Sequence, residues 1–170
     1  MSESALNEKN ILAVDDEPDV LALLKEEILS AAPKSKVETA TSYGEAWELL
    51  ISWSHDLIIL DVMGVQDNDL LRRAAARLYP VPTVILTAQA FSPEALKKSI
   101  ELGARAYLPK EMLGALVPVL EDVLTYEYGP AWKRLMGRFE GVFAKGWGPY
   151  WRNPDSAFWE EFEKKISEAK

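Results

Sequence analysis

Two stretches decide the reading of this chain: Ile11-Leu12-Ala13-Val14-Asp15-Asp16 ("ILAVDD") and Leu57-Ile58-Ile59-Leu60-Asp61-Val62-Met63-Gly64 ("LIILDVMG"). Each is a short apolar run that stops at a carboxylate. A run of four or five apolar residues without alternation suits a strand buried on both faces, as in a parallel sheet covered by helices. Similar runs recur at Val37–Thr39, Thr83–Leu86 and Ala106–Leu108.

Helical patterns lie between the runs. Val20, Leu23, Leu24 and Ile28 repeat at helical spacing behind Pro18, which suits a first helical turn. Ser42 and Glu45 form an S-x-x-E capping box ahead of Ala46, Leu49, Leu50 and Trp53. Leu70, Leu71, Ala74 and Leu78 make a third stripe. Ser92-Pro93 opens a fourth helix, and Gly103 follows its end. Met112–Leu124 reads as a fifth, with Pro118 calling for a kink or a later start. Strands alternating with helices predict an α/β fold, a doubly wound parallel sheet of five strands. Sites in such folds lie outside the carboxyl ends of the strands. Asp15, Asp16 and Asp61 all stand there, and they converge if the first and third strands are neighbours.

Three converging carboxylates repel one another unless a cation sits among them or one takes a proton. A hard divalent cation, Mg²⁺, suits such oxygen ligands and leaves room for water and a phosphate. Thr87 ends the fourth run and Lys110 follows the fifth, placing a hydroxyl and an ammonium at the same sheet edge. The set reads as an aspartate nucleophile for phosphoryl transfer, with metal and lysine neutralising charge. An Asp at a strand end often does no more than cap a turn. The five groups in order, each on a strand end, are what raise the chemical reading above that one.

Residues from about 9 to 126 resemble the receiver domain of two-component response regulators. The resemblance rests on Asp15-Asp16, Asp61, Thr87-Ala88, and Gly103-Ala104 leading into Tyr107-Leu108-Pro109-Lys110. It implies a flavodoxin-like sheet of order 2-1-3-4-5. It implies that Asp61 accepts a phosphoryl group from a phosphohistidine on a histidine kinase or phosphotransfer protein. Asp16 then binds Mg²⁺ directly, with Asp15 assisting through water and the Met63 carbonyl as a further ligand. Thr87 bonds the phosphoryl oxygens, Lys110 pairs with the phosphate, and Tyr107 is the aromatic switch that moves inward with Thr87. The output surface comprises the helix after Ser92, the strand at Ala106–Leu108 and the helix before Tyr126. The chain departs from the family at Met63-Gly64, with no proline in that loop, and at Pro109, which precedes Lys110 instead of following it. A degenerate receiver acting as a non-phosphorylated binding scaffold is the alternative. A haloacid-dehalogenase-type phosphohydrolase needs an Asp where Met63 stands. The expectation is a signalling module, not an enzyme, with slow self-dephosphorylation at most.

Composition narrows the rest. The 170 residues carry net charge −8, no cysteine and one histidine, so disulfides, thiol chemistry and a His-rich metal site are excluded. No basic cluster offers a nucleic-acid surface, and no apolar run reaches the length of a membrane span. The polar start, "MSESALNEKN", lacks a signal-peptide pattern. A cytoplasmic location follows as the expectation. Residues 1–8 are expected to be disordered and His55 to be exposed and without a role.

Residues 1–126 hold 11 basic and 20 acidic side chains, residues 127–170 hold 8 and 7, and the second part has four of the six tryptophans. This shift predicts a receiver over 9–127 and a helical extension over 128–170. The extension is too short for a winged helix and has no basic face, so no DNA-binding output is expected. Trp132, Leu135, Met136, Phe139 and Phe143 share one helical face, and Phe158, Trp159, Phe162 and Ile166 another. Those faces need a cover: the receiver itself, a homodimer or an unknown downstream protein, or a membrane surface, for which the polar faces are not basic enough. Release of the extension from the output surface on phosphorylation is a further expectation.

Overall fold

The fold is that of a computed structural model, which describes residues 3–61, 80–87 and 92–168. Five parallel strands form one sheet: β1 (Asn10–Val14), β2 (Lys36–Ala40), β3 (Leu57–Asp61), β4 (Thr83–Thr87) and β5 (Ala106–Pro109), in the order β2-β1-β3-β4-β5. β1 lies between β2 and β3, with Val14 opposite Leu60. β3 and β4 are buried along their whole length, as their unbroken apolar sequences require. The order reverses between β1 and β3, so the ends of these two strands flank the crevice where such folds place their sites.

The helices α1 (Pro18–Ala31), α2 (Tyr43–Ser52), α3 (Pro93–Glu101) and α4 (Leu116–Thr125) cover the sheet. α2 and α3 begin as their sequences specify: Ser42 Oγ accepts from the Glu45 N–H at 3.2 Å and Ser92 Oγ from the Ala95 N–H at 3.1 Å. Gly103 ends α3 at φ 99°, a conformation that costs glycine nothing. Pro118 sits in the first turn of α4, where a missing N–H is harmless, and Lys110–Ala115 precede it as a 3₁₀ helix. The stripe at Leu70, Leu71, Ala74 and Leu78 lies outside the described residues.

Two expectations need correction. Within the segment 1–8, of which residues 3–8 are described, residues 5–8 form turns where a disordered tail was expected: Leu6 is fully buried in the core and Ser4 Oγ donates to Glu121 at 2.8 Å. One apolar side chain among polar ones was enough to anchor the segment. The His55 side chain is buried, with Nε2 3.0 Å from Glu38 Oε1 on β2.

The extension forms α5 (Tyr128–Trp147) and α6 (Ser156–Glu168). Gly148, at φ 90°, turns the chain out of α5. Trp132, Phe139 and Phe143 are fully buried and belong to the same hydrophobic core as the strands. The faces of α5 and α6 are thus covered by the receiver and by each other. No helix among the described residues is long and apolar enough to cross a membrane.

Candidate functional site

At the carboxyl edge of the sheet, Asp15 follows β1 and Asp61 ends β3. The backbone N–H of Asp15 donates to the Ala40 carbonyl at the end of β2, which holds this loop in place. The Asp15 and Asp61 side chains are buried, whereas Asp16 faces solvent. Each of the three offers a carboxylate oxygen, and these atoms lie within 4.8 Å of one another. Lys110, directly after β5, places Nζ 3.0 Å from Asp15 Oδ2 and 3.2 Å from Asp61 Oδ2. One ammonium therefore bridges two buried carboxylates.

The electrostatics follow from this crowding. Burial, then the Asp15 charge, push the Asp61 carboxyl from 3.8 up to about 6, with Lys110 opposing and Asp16 adding to the rise. Burial also raises Asp15, against the Glu17 backbone hydrogen bond and Lys110. For Lys110, burial acts downward, but Asp15 and Asp61 outweigh it and its pKa rises. One cation does not balance the set. Asp15 Oδ1 accepts from the Glu17 N–H at 2.9 Å, while the buried Oδ2 has the ion pair with Lys110 but no aligned hydrogen bond. An under-compensated oxygen cluster of this kind fits a hard divalent cation held by Asp15, Asp16 and Asp61. Met63 lies outside the described residues.

Glu17 was missed by sequence reasoning. Its carboxylate approaches Lys110 Nζ at 3.3 Å from the exposed side. The signal was its place directly after the Asp15-Asp16 pair, on the same loop.

Thr87 is buried at the end of β4, opposite Pro109 in register and one residue beyond the Asp61–Leu86 pairing. Tyr107 is not at the crevice. It is fully buried on β5, three residues before Lys110, with its hydroxyl against the Ser92 backbone N–H. Sequence reasoning thus brought together Asp15, Asp16, Asp61 and Lys110, with Thr87 on the adjacent strand end and Tyr107 behind them.

Comparisons with known proteins agree with this geometry. Residues 11–117 match the family model described as the response regulator receiver domain. The non-phosphorylated HemR receiver domain from Leptospira biflexa is similar at 31% identity and TM-score 0.61, over 71% of this chain and 97% of that one. The response regulator TrrA from Thermotoga maritima, solved in complex with Mg(2+)-BeF, is similar at 28% identity and TM-score 0.58, over 68% of this chain and 98% of that one. A CheY-like receiver domain protein from Methanospirillum hungatei is similar at 26% identity and TM-score 0.56, over 68% and 95%. The matched family stretch ends before α5 begins. With an acidic pocket on the strand ends and a family match over most of its length, the chain belongs to the response regulator receiver domain family.

Proposed function

We propose that this chain is the phosphoacceptor of a two-component signalling system, and that phosphorylation of Asp61 alters a protein-interaction surface. The observation that carries the reading is the cluster of Asp15, Asp16 and Asp61 with Lys110 Nζ 3.2 Å from the Asp61 carboxylate. An Asp61 oxygen attacks the phosphorus of a phosphohistidine on a histidine kinase or phosphotransfer protein. The O–P bond forms as the P–N bond breaks, and the imidazole nitrogen keeps the bonding pair and takes a proton. Asp61 acts only as the carboxylate, so its raised pKa sets a lower pH limit. The Lys110 ammonium neutralises charge on the transferred group, and the Thr87 hydroxyl is assigned to one of its oxygens. Asp15, Asp16 and Asp61 would hold Mg²⁺, which when bound shields the charge of the phosphoryl oxygens. The later loss of phosphate to water is slow, and signalling runs through protein contacts.

The test is intact mass after incubation with acetyl phosphate, with and without Mg²⁺, on wild type and Asp61→Asn. A Mg²⁺-dependent phosphoryl adduct lost in the variant supports the reading. Absence of both adduct and Mg²⁺ binding sinks it in favour of a non-phosphorylated scaffold.

A further inference from the structure

The seam between the receiver and its extension is not completely filled. A cavity of about 210 Å³ lies between α3 and the turn that joins α5 to α6. Two tryptophans of the extension line it, Trp151 and Trp159, whose rings meet edge-on at 4.9 Å. Both are buried. Trp151 is fixed by its neighbours. Phe143 of α5, itself edge-on to Tyr107 of β5 at 6.3 Å, meets the Trp151 ring at 5.9 Å. Arg152 lies over that ring at 4.5 Å and ties the turn to Glu140 of α5 at 2.8 Å and to Glu163 of α6 at 3.3 Å.

The charge around the cavity is one-sided. Glu94, Lys97 and Glu101 stand three and four residues apart on one face of α3, and all three line the cavity together with Asp155 of the extension. Among the described residues, three carboxylates thus face one ammonium. Lys97 is already committed: it pairs with Asp155 and lies over the Phe158 ring at 5.1 Å. The Asp155 hydrogen bond raises its pKa and Glu101 adds to the rise, so this ammonium stays charged. Negative charge remains in surplus. A metal ion does not suit it, because among the described residues the carboxylates that converge closely enough to share one are those of Asp15, Asp16 and Asp61. The lining also holds an unused donor. Trp151 is only 5% exposed, and its indole N–H is buried without an acceptor among the described residues. A buried donor left unpaired is costly and uncommon.

These features select one kind of occupant. Aromatic faces attract cations, tryptophan most strongly, and the surplus carboxylates act in the same direction. The orphan N–H calls for an acceptor on the same molecule. The volume is below the roughly 300–1,000 Å³ of sites for drug-sized ligands, so the molecule is small. We propose that this cavity binds a small organic cation, an ammonium with a neutral hydroxyl or carbonyl oxygen nearby. The ammonium sits against the tryptophan rings and facing Glu94 and Glu101, and the oxygen accepts from the Trp151 indole N–H. The receiver supplies the carboxylates of α3, and the extension supplies the rings and the donor. The ligand therefore bridges the two parts and stabilises their docking, as any molecule bound only by the folded state does. The matched family stretch ends at residue 117, before Trp151 and Trp159. The inference stands apart from the phosphoacceptor reading, and neither falls with the other.

The test is titration of the full chain, followed by tryptophan fluorescence and by the indole N–H resonance of Trp151, which Trp151→Phe identifies. The probes are choline, ethanolamine, tetramethylammonium and the neutral choline isostere 3,3-dimethylbutan-1-ol. Choline or ethanolamine is expected to bind saturably at one site and to shift that resonance. The neutral isostere should bind roughly five- to thirtyfold more weakly than choline, the range of a cation held by an aromatic face. Trp151→Phe keeps a ring and removes the donor, so it should weaken choline about fivefold and leave tetramethylammonium unchanged. Glu94→Gln and Glu101→Gln, both at exposed positions of α3, should weaken every cationic probe and not the isostere. No saturable binding of any cationic probe overturns the inference. Equal binding of choline and its isostere also overturns it, and leaves an apolar gap without charge selectivity. Binding unaltered in Trp151→Phe and both glutamine variants places the ligand elsewhere and overturns the site. Tighter binding of Nα-acetyl-lysine methylamide than of choline overturns the free-ligand form, since the cation would then be a lysine of a partner chain.

Discussion

Lys110 Nζ lies 3.2 Å from Asp61 Oδ2, and the same nitrogen lies 3.0 Å from Asp15 Oδ2. A single ammonium thus stands between two buried carboxylates, with Asp16 nearby and exposed. The pocket carries surplus negative charge in the absence of a further cation, and most of its testable behaviour follows from that imbalance.

Removing the ammonium should cost stability in a pH-dependent way. Lys110→Ala leaves Asp15 and Asp61 facing each other without a counter-charge, a loss on the order of 1–3 kcal/mol for a partly buried pair. The loss should be largest near pH 8 without metal, and smaller at pH 5, where Asp61 takes a proton. Thermal denaturation at the two pH values checks this, and an equal loss at both would contradict the charge argument.

The raised Asp61 pKa has the opposite consequence for that residue itself. Between 3.8 and about 6 the folded state holds a proton that the unfolded state has released. Stability of the metal-free chain therefore falls as pH rises through this window, as far as this group is concerned. Asp61→Asn removes the effect and should be the more stable protein at pH 8, by roughly 1–3 kcal/mol. A variant less stable than wild type at pH 8 without metal would show that Lys110 already compensates the pocket.

Divalent cation and proton compete for the same oxygens. Mg²⁺ should raise the melting temperature at pH 8, by about 2.7 kcal/mol of stability at a hundredfold excess over its dissociation constant. Affinity should drop as pH falls through about 6, where Asp61 protonates. Asp15→Asn and Asp16→Asn should each weaken binding in a calorimetric titration. Retained affinity in both would move the metal away from this cluster.

The extension should unfold together with the receiver. Phe139 is fully buried in the shared core, and Phe139→Ala should cost about 3–5 kcal/mol. Four of the six tryptophans lie in the extension, so fluorescence reports on it while far-ultraviolet dichroism reports on the whole chain. The two signals should melt as one transition. An early, separate fluorescence transition would mark residues 128–168 as an independent unit.

Local signals were legible where local forces decide. Ser42 and Ser92 cap their helices as their spacing required, because a cap is formed within four residues. Pro118 set the start of α4 because a missing N–H is tolerated only in the first turn. Leu6 and His55 were misread because nothing near them in sequence reveals their partners. Leu6 enters the core, and His55 pairs with Glu38, seventeen positions away.

The sequence by itself determined the sheet class, the strand ends that carry Asp15, Asp16, Asp61 and Lys110, and two aromatic helical faces in need of cover. These are questions of periodicity and of which residue follows a buried run. Tertiary structure alone decided that Asp15 is buried and Asp16 exposed, that one lysine bridges two carboxylates, and that Phe143 meets Tyr107. An amphipathic pattern states that a face must leave water, since apolar burial is non-directional. Which surface receives it depends on shape and charge brought together from distant parts of the chain, and no local pattern contains that.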